Sequence, residues 1–344
     1  MGEFLTRRSL IFSGDSSVSF LDEDLLPLGR NQVLVRTMAS AISSGTEKLV
    51  FTGKVPRGMA VDATLASLPG RFAYPLKYGY AAVGRVAATG ELVDPSWLGR
   101  LVFAFNPHET AFTAAPGDLL PVPGLLKPET ALFFPNLETA AGFLMDGRPM
   151  IGENVALFGQ GVVGLLTLSL LRRFPLTALV TVDTSPARRE RSRQLGATAS
   201  LDPAETGFIQ EFHRKIPAGA DLTFEISGSP AALNQAIAVT GFAGRVIVGS
   251  WYGTRPATLD LGSHFHRSRI QIVSSQVSSL PPDVTGRWDR QRRHDLAWDL
   301  LEEINPVDLI THRIPFENAE EAYRIVSSDP EGALQVILTY PEAE

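Results

Sequence analysis

The sequence contains no cysteine. That absence excludes disulfides, cysteine-ligated zinc, cysteine-held iron–sulfur clusters and thiol nucleophiles. Basic excess is missing too. Against 31 Lys and Arg stand 37 Asp and Glu, a formal net charge of −6, whereas a nucleic-acid surface advertises itself by clustered positive charge. Nor is there a long apolar run. The most apolar stretch, residues 155–171, is interrupted by Gly159, Gln160, Gly161 and Gly164, and a membrane span needs about 20 consecutive apolar residues. The opening from Met1 to Arg8 lacks the apolar core of a signal peptide. A cytoplasmic protein is therefore expected, with a small-molecule substrate and neither nucleic acid nor membrane as partner.

What is present is ordinary globular material: 44% hydrophobic and 20% charged residues over 344 positions. That length favours two domains. The first third reads as β structure, with short β-prone runs at 32–37, 82–87 and 101–105 bounded by Gly29, Gly79, Gly90, Pro95 and Gly99. Residues 119–124, rich in proline and glycine, read as a segment between domains. From about Glu129 the texture changes to alternating helices and buried strands. Strands are expected at 154–158, 178–182, 221–225, 245–249 and near 270–273. Helices are expected at 138–144, 162–173, 188–196 and 230–239. Strands separated by helices of this length predict a parallel, doubly wound sheet. An amphipathic helix at 295–303 and a β-like run at 334–338 close the chain.

Residues Gly159, Gln160, Gly161, Val162, Val163 and Gly164 spell G-x-G-x-x-G. Alone the pattern is weak, but here it follows an apolar strand and opens an apolar helix, the setting dinucleotide binding needs. Gly159 permits the tight turn, Gly161 lets backbone approach a pyrophosphate, and Gly164 allows close helix–strand packing. The helix N-terminus then offers free amides to the phosphates. Asp183 ends the next strand, where a carboxylate accepts from the adenine ribose hydroxyls and repels a 2′-phosphate. NAD(H) is thus expected ahead of NADP(H). Arg188 and Arg189 pull the other way: either could reach a 2′-phosphate, Arg188 could equally meet the ribose of NAD, and the whole run 188–193 also reads as a solvated helix face.

A β-rich segment followed by this nucleotide fold resembles the medium-chain dehydrogenase/reductase superfamily along nearly the full length. Ser43-Ser44-Gly45-Thr46-Glu47 is similar to the zinc alcohol dehydrogenase segment in which a ligand cysteine precedes a Thr-Asp pair, with Ser44 in the cysteine's place. Gly79-Tyr80-Ala81-Ala82-Val83-Gly84 is similar to G-H-E-x-x-G, with Tyr80 for the ligand histidine and Ala81 for the glutamate. Phe134-Pro135-Asn136 falls near the remaining ligand position. The resemblance implies an α/β fold: a Rossmann doubly wound parallel-sheet domain (127–284) plus a GroES-like β-rich domain (1–126 and 285–344), with the active site in the cleft between them. It also implies a homodimer through an edge strand at 270–273. Ser-Gly-Thr-Glu, the run 74–80 and Leu309-Ile310-Thr311-His312-Arg313 are most similar to a branch containing the bacteriochlorophyllide hydroxyethyl dehydrogenases.

Zinc needs three or four N, S or O donors in tetrahedral array, and Ser44, Tyr80 and Ala81 do not supply them. No zinc is expected. His264 and His266 could ligate a metal from one strand face, though a surface strand end accounts for them as well. The resemblance places Thr46 at the family's proton-relay hydroxyl. Tyr80 replaces a ligand and is expected to donate to a developing alkoxide, with Thr46 and Ser44 assisting; Lys77 could lower the phenol's pKa, with a solvated side chain as the alternative. A Tyr80 that merely fills the metal's volume is the plain alternative. Glu47 reads as buried support, and Thr139 resembles a contact to the nicotinamide, with capping or packing as alternatives. Aromatics Phe51, Phe72, Tyr74, Trp251 and Trp288 could line an apolar pocket or pack the core. The expected activity is a zinc-independent, NAD(H)-dependent interconversion of a secondary alcohol and a ketone. An NADPH-dependent enoyl or quinone reductase and a non-catalytic nucleotide sensor are the rivals.

Overall fold

Short β-prone runs bounded by turn formers make the first third of the chain a set of strands. The computed structural model describes residues 6–62, 64–65, 67–328 and 332–341, so Met1 to Leu5 of the opening segment lie outside the described residues. In chain order the first elements are β1 (Thr6–Phe12), β2 (Val18–Asp24), β3 (Val33–Ile42), α1 (Thr46–Phe51), β4 (Leu76–Lys77), β5 (Ala82–Thr89), β6 (Leu101–Ala104), β7 (Ala111–Ala114), β8 (Leu120–Pro121) and α2 (Pro128–Ala131). There follow α3 (Phe134–Gly147), β9 (Asn154–Phe158), α4 (Val162–Leu171), β10 (Ala178–Val182), α5 (Pro186–Gln194), β11 (Ala199–Leu201), α6 (Phe208–Lys215), β12 (Ala220–Glu225), α7 (Pro230–Val239), β13 (Thr240–Val248) and β14 (Gln271–Ser274). The chain closes with α8 (Arg290–Ile304), β15 (Ile310–Pro315), α9 (Ala319–Ser328) and β16 (Gln335–Thr339).

These elements form two units, one of Met1–Pro135 with Leu301–Glu344, the other of Asn136–Leu300. In the first, a seven-stranded sheet runs β15-β16-β3-β5-β6-β8, with β7 also paired to β3. A three-stranded sheet runs β2-β1-β4. The C-terminal strand β16 lies antiparallel to β3, from Val336 opposite Ile42 to Thr339 opposite Ala39, so the two ends of the chain share one sheet. The core gathers Val33, Val35, Val86, Val102 and Phe112. Residues 119–124 are not a linker. Leu120 and Pro121 pair with Phe103 and Val102 as an edge strand, where a proline is tolerated because its missing N–H faces outward.

The second unit holds a six-stranded sheet, β11-β10-β9-β12-β13-β14, parallel at every pairing. Successive residues of a strand face opposite sides. Ala156 and Phe158 of β9 accordingly pack with Phe208, Phe212, Leu233 and Ile237 of α6 and α7. Val155 and Leu157 pack with Phe143 of α3 and with Leu168 and Leu171 of α4. Helices cover both faces. The strand order reverses between β9 and β12, and in such sheets ligands bind beyond the carboxyl ends of the strands at that switch point. His264 and His266 belong to a helical turn, not to a strand end. Both ring nitrogens of His264 are engaged, Nε2 with the Thr240 carbonyl and Nδ1 with Ser268. Among the described residues no helix is long and apolar enough to cross a membrane.

Candidate functional site

The turn after β9 explains its three glycines differently. Gly159 has φ +93°, and a Cβ there would lie 2.6 Å from the Ser227 Cα. A Cβ on Gly164 would sit 2.0 Å from the Gly159 carbonyl oxygen. The fold itself demands those two. Gly161 has ordinary extended backbone, φ −71° and ψ −170°. A Cβ there would meet only the Arg188 guanidinium, at 4.0 Å. Nothing among the described residues requires glycine at 161. The space left open sits at the start of α4, whose first turn has no side-chain cap, so its amides face outward for an anion.

Asp183, almost wholly buried, stands beside this turn. Its Oδ2 accepts from the Gln160 amide at 2.6 Å and its Oδ1 from the Ser185 amide at 2.8 Å. Each carboxylate oxygen has two lone pairs, so one on each stays available to a ribose hydroxyl. Gln160 is scaffold here: its side chain donates to the Leu157 and Gly159 carbonyls and accepts from Ser192. Val162 is buried at the head of α4, with Val163 beside it. The two arginines differ. Arg189 is committed, donating to the Asp183 and Thr184 carbonyls and pairing with Asp202 at 2.9 Å. Arg188 lies alongside Gly161. Thr139 is partly buried on α3, one residue beyond Glu138, which holds the buried Arg293 of α8 at 2.7 Å.

At the carboxyl end of β12 lies a group that sequence reasoning missed. Glu225, fully buried, accepts from the Ser227 amide at 2.9 Å and hydroxyl at 2.5 Å. Its other oxygen accepts from the Tyr252 hydroxyl. Burial, together with the Glu225 charge, pushes the Tyr252 phenol well above its ordinary value. This latch fixes the loop whose Ser227 backbone abuts Gly159.

In the other unit, β3 runs into a turn and then α1, which sets Ser43, Ser44, Thr46 and Glu47 close together in sequence and space. The Tyr80 hydroxyl donates to the Ser43 hydroxyl, and the Thr46 hydroxyl is near enough to favour the ionised phenol. Ser43, not the expected Ser44, meets the phenol; Ser44 lies in the turn leading to α1. Burial pushes the Tyr80 phenol up to about 12, with the charges of Glu47 and Asp62 adding to the rise and the Ser43 and Thr46 hydroxyls opposing it. Lys77 does not lower it. Its ammonium is taken by Glu23, at 2.6 Å, and stands 3.7 Å from Glu109. Tyr80 is consequently a protonated donor throughout the physiological range.

Glu47 is fully buried. Its Oε1 accepts from the Ser43 amide at 2.9 Å, and its Oε2 meets His108 Nε2 at 2.9 Å and the Tyr323 hydroxyl. His108 was not legible as a site residue, since a lone histidine in the polar run Asn106-Pro107-His108-Glu109-Thr110 carries no spacing signal. The aromatic residues named from sequence divide. Phe51 and Phe72 are core, Tyr74 donates to the Val50 carbonyl, and Trp288 lies under the Arg292 guanidinium at 4.1 Å; Trp251 is half-buried.

Of the positions where zinc ligands would be sought, Ser44 is in a turn, Tyr80 is bonded to Ser43, Ala81 is buried and Phe134 is core. Among the described residues no three His, Asp or Glu side chains gather closely enough to hold a metal ion.

Residues 162–291 match the zinc-binding dehydrogenase family. Over 330 residues the chain is 25% identical to D-guloside 3-dehydrogenase of Escherichia coli (strain K12), covering 90% of this chain and 93% of that one. Over 131 residues, 38% of this chain and 35% of the relative, it is 33% identical to (R,R)-butanediol dehydrogenase of Bacillus subtilis (strain 168). An alcohol dehydrogenase from Escherichia coli CFT073, solved with NADH, superposes with TM-score 0.79 over 97% of this chain and 99% of that one, at 16% identity. The chain is thus similar over 162–291 to the zinc-binding dehydrogenases and over most of its length to D-guloside 3-dehydrogenase, and it shares the fold of the solved alcohol dehydrogenase.

Proposed function

We propose that this protein is a nicotinamide-dependent dehydrogenase/reductase interconverting an alcohol and a ketone, that it takes NAD(H), and that it works without zinc. The open cradle at Gly161 carries the cofactor reading: the protein leaves space there that its own packing does not need. Residues 159–164, Asp183 and Arg188 would hold the dinucleotide, and the bound nicotinamide supplies or accepts the hydride. Asp183 beside the turn and Arg189 committed to Asp202 favour the free ribose of NAD(H) over a 2′-phosphate. The named activities of the guloside and butanediol relatives support alcohol–ketone chemistry, and place diols and sugar alcohols first among substrates to try.

In the reductive direction the Tyr80 hydroxyl turns its one proton from Ser43 to the carbonyl oxygen as that oxygen gains charge, while Ser43 turns to donate to the phenol oxygen. A donor with a pKa near 12 still has a large driving force toward an alkoxide. Ser43, hydrogen-bonded to the phenol, and Thr46 near it orient it and form the first steps of its reprotonation from water. The zinc-free reading rests on the donor types: a chain with no cysteine offers serine, tyrosine and alanine where ligands belong. A place beside the bacteriochlorophyllide hydroxyethyl dehydrogenases rests on the Ser-Gly-Thr-Glu segment and the run 74–80.

The test is NADH oxidation with acetoin and a panel of keto-glycosides and enones, before and after dialysis against EDTA. Ketone reduced to alcohol, at a rate unchanged by chelation and by added zinc, is the expected result. Reduction of the enone C=C bond alone, or activity lost with EDTA and restored by zinc, would contradict it. We further propose a homodimer through β14, an edge strand whose Gln271, Val273 and Ser274 are exposed and whose unpaired backbone can extend the sheet. Light scattering should give about twice the 37.2 kDa chain mass; a monomer would rule this out.

A further inference from the structure

Behind the Tyr80 hydroxyl runs a chain of buried polar side chains that the proton-transfer reading does not use. Ser40 on β3 is within 2.7 Å of His108 Nδ1 and 2.9 Å of the Tyr340 hydroxyl. His108 Nε2 reaches Glu47, and Tyr323 of α9 reaches the same oxygen. His108, Glu47 and Tyr323 have no solvent exposure at all. A carboxylate only accepts, so the His108 Nε2–H and the Tyr323 O–H donate to it. In the neutral imidazole Nδ1 then accepts from Ser40, and Ser40 accepts from Tyr340. The Glu47 carboxylate ends with three donors, the third being the Ser43 amide.

Burying such a set costs several kcal/mol per charge unless every member is satisfied, and apolar packing of the same volume serves stability as well. What the polar set adds is a fixed geometry at Ser43. A second, independent contact points the same way. The His108 ring packs against Gly79, where a Cβ would lie 2.7 Å from the ring Cδ2, and the His108 amide donates to the Tyr78 carbonyl at 3.3 Å. Gly79, at φ +125°, immediately precedes Tyr80. His108 thus reaches Tyr80 from its backbone side through residues 78 and 79, and from its hydroxyl side through Glu47 and Ser43.

We propose that His108 and Glu47 form a buried clamp that fixes Ser43 and the backbone before Tyr80, which makes His108 a positioning residue for the Tyr80 hydroxyl. Its catalytic meaning rests on Tyr80 being the proton donor, but the coupling itself does not.

The protein, carrying 13Cζ-labelled tyrosine, has six tyrosines to follow by NMR; Tyr80→Phe and Tyr323→Phe assign two of the signals. In His108→Leu both the Tyr323 and Tyr80 resonances should shift and broaden, while Tyr252 in the other unit stays put. His108→Gln, whose amide can still donate to Glu47, should return both toward their original positions. Should the leucine variant not fold, Glu47→Gln gives the same readout, since it keeps the side-chain volume but replaces one of the two accepting oxygens with an NH2 donor, so the Ser43 amide, His108 and Tyr323 can no longer all be satisfied. A Tyr323 signal that moves while Tyr80 stays fixed and sharp would overturn the clamp. The donor reading fails separately: a Tyr80→Phe variant with unchanged acetoin turnover would sink that reading and leave the measured coupling standing.

Discussion

Replacing Gly161 with alanine is expected to leave the fold intact and to remove most of the affinity for NADH. An added Cβ at this position meets no protein atom closer than the Arg188 guanidinium at 4.0 Å, and its backbone angles suit any residue. Thermal unfolding should therefore stay within about 0.5 kcal/mol of the parent, the range of substitutions that break no packing or hydrogen bond. The methyl group occupies the space a pyrophosphate needs against the first amides of α4. A loss of about tenfold or more in Kd, some 1.4 kcal/mol per factor of ten, is the expected result by fluorescence titration. Gly164→Ala is the contrasting variant. Its Cβ would lie 2.0 Å from the Gly159 carbonyl oxygen, so it should lower stability along with binding. If Gly161→Ala bound NADH as the parent does, the turn after β9 would not be the phosphate site.

Tyr80→Phe carries the other large effect. It removes one hydroxyl and leaves the ring and its edge contact with Tyr78 at 6.2 Å in place. NADH affinity should be unchanged. The kcat for ketone reduction should fall on the order of a hundredfold, the lower end of what a positioned proton donor contributes. Because the phenol is pushed up to about 12, it stays protonated from neutral pH to well above pH 10, and the parent's reductive kcat should show no basic limb from this group below pH 10. Alcohol oxidation needs the deprotonated form, so its rate should keep climbing as the pH rises toward that value. A kcat unchanged by the substitution would return Tyr80 to the role of a space-filling residue.

The unit built on the parallel sheet was largely legible in the sequence because its signals are local. Five-residue apolar strands at 154–158 and 178–182, a helix after the glycine turn and another at 230–239 lie where periodicity places them, since a parallel strand buried on both faces is apolar along its whole length. The β-rich unit was legible only in part. β1 and β2 form a half-exposed ribbon with charged residues on both strands, so they show no clean alternation. Short β8 hides under two prolines. Site residues divide in the same way. Asp183 and the glycines sit at motif spacings, whereas His108 and Tyr323 meet Glu47 across 61 and 276 positions and Ser40 meets Tyr340 across 300, a convergence no local pattern records. The substitution of Ser43 for Ser44 as the partner of Tyr80 turns on which of two adjacent serines points inward, and that is decided by where β3 ends and the turn begins. Lys77 was misjudged because Glu23, on the neighbouring ribbon, competes for it.

The most direct test of the central claim is a fluorescence titration of the purified protein with NADH and, separately, with NADPH, repeated on Asp183→Ala. Tighter binding of NADH, about tenfold or more, with the preference lost in the Asp183 variant, is what the placement of Asp183 beside Gly161 predicts. Tighter binding of NADPH would mean that Arg188 reads a 2′-phosphate and would bring the enoyl or quinone reductase to the front. Binding of neither nucleotide would contradict the account as a whole.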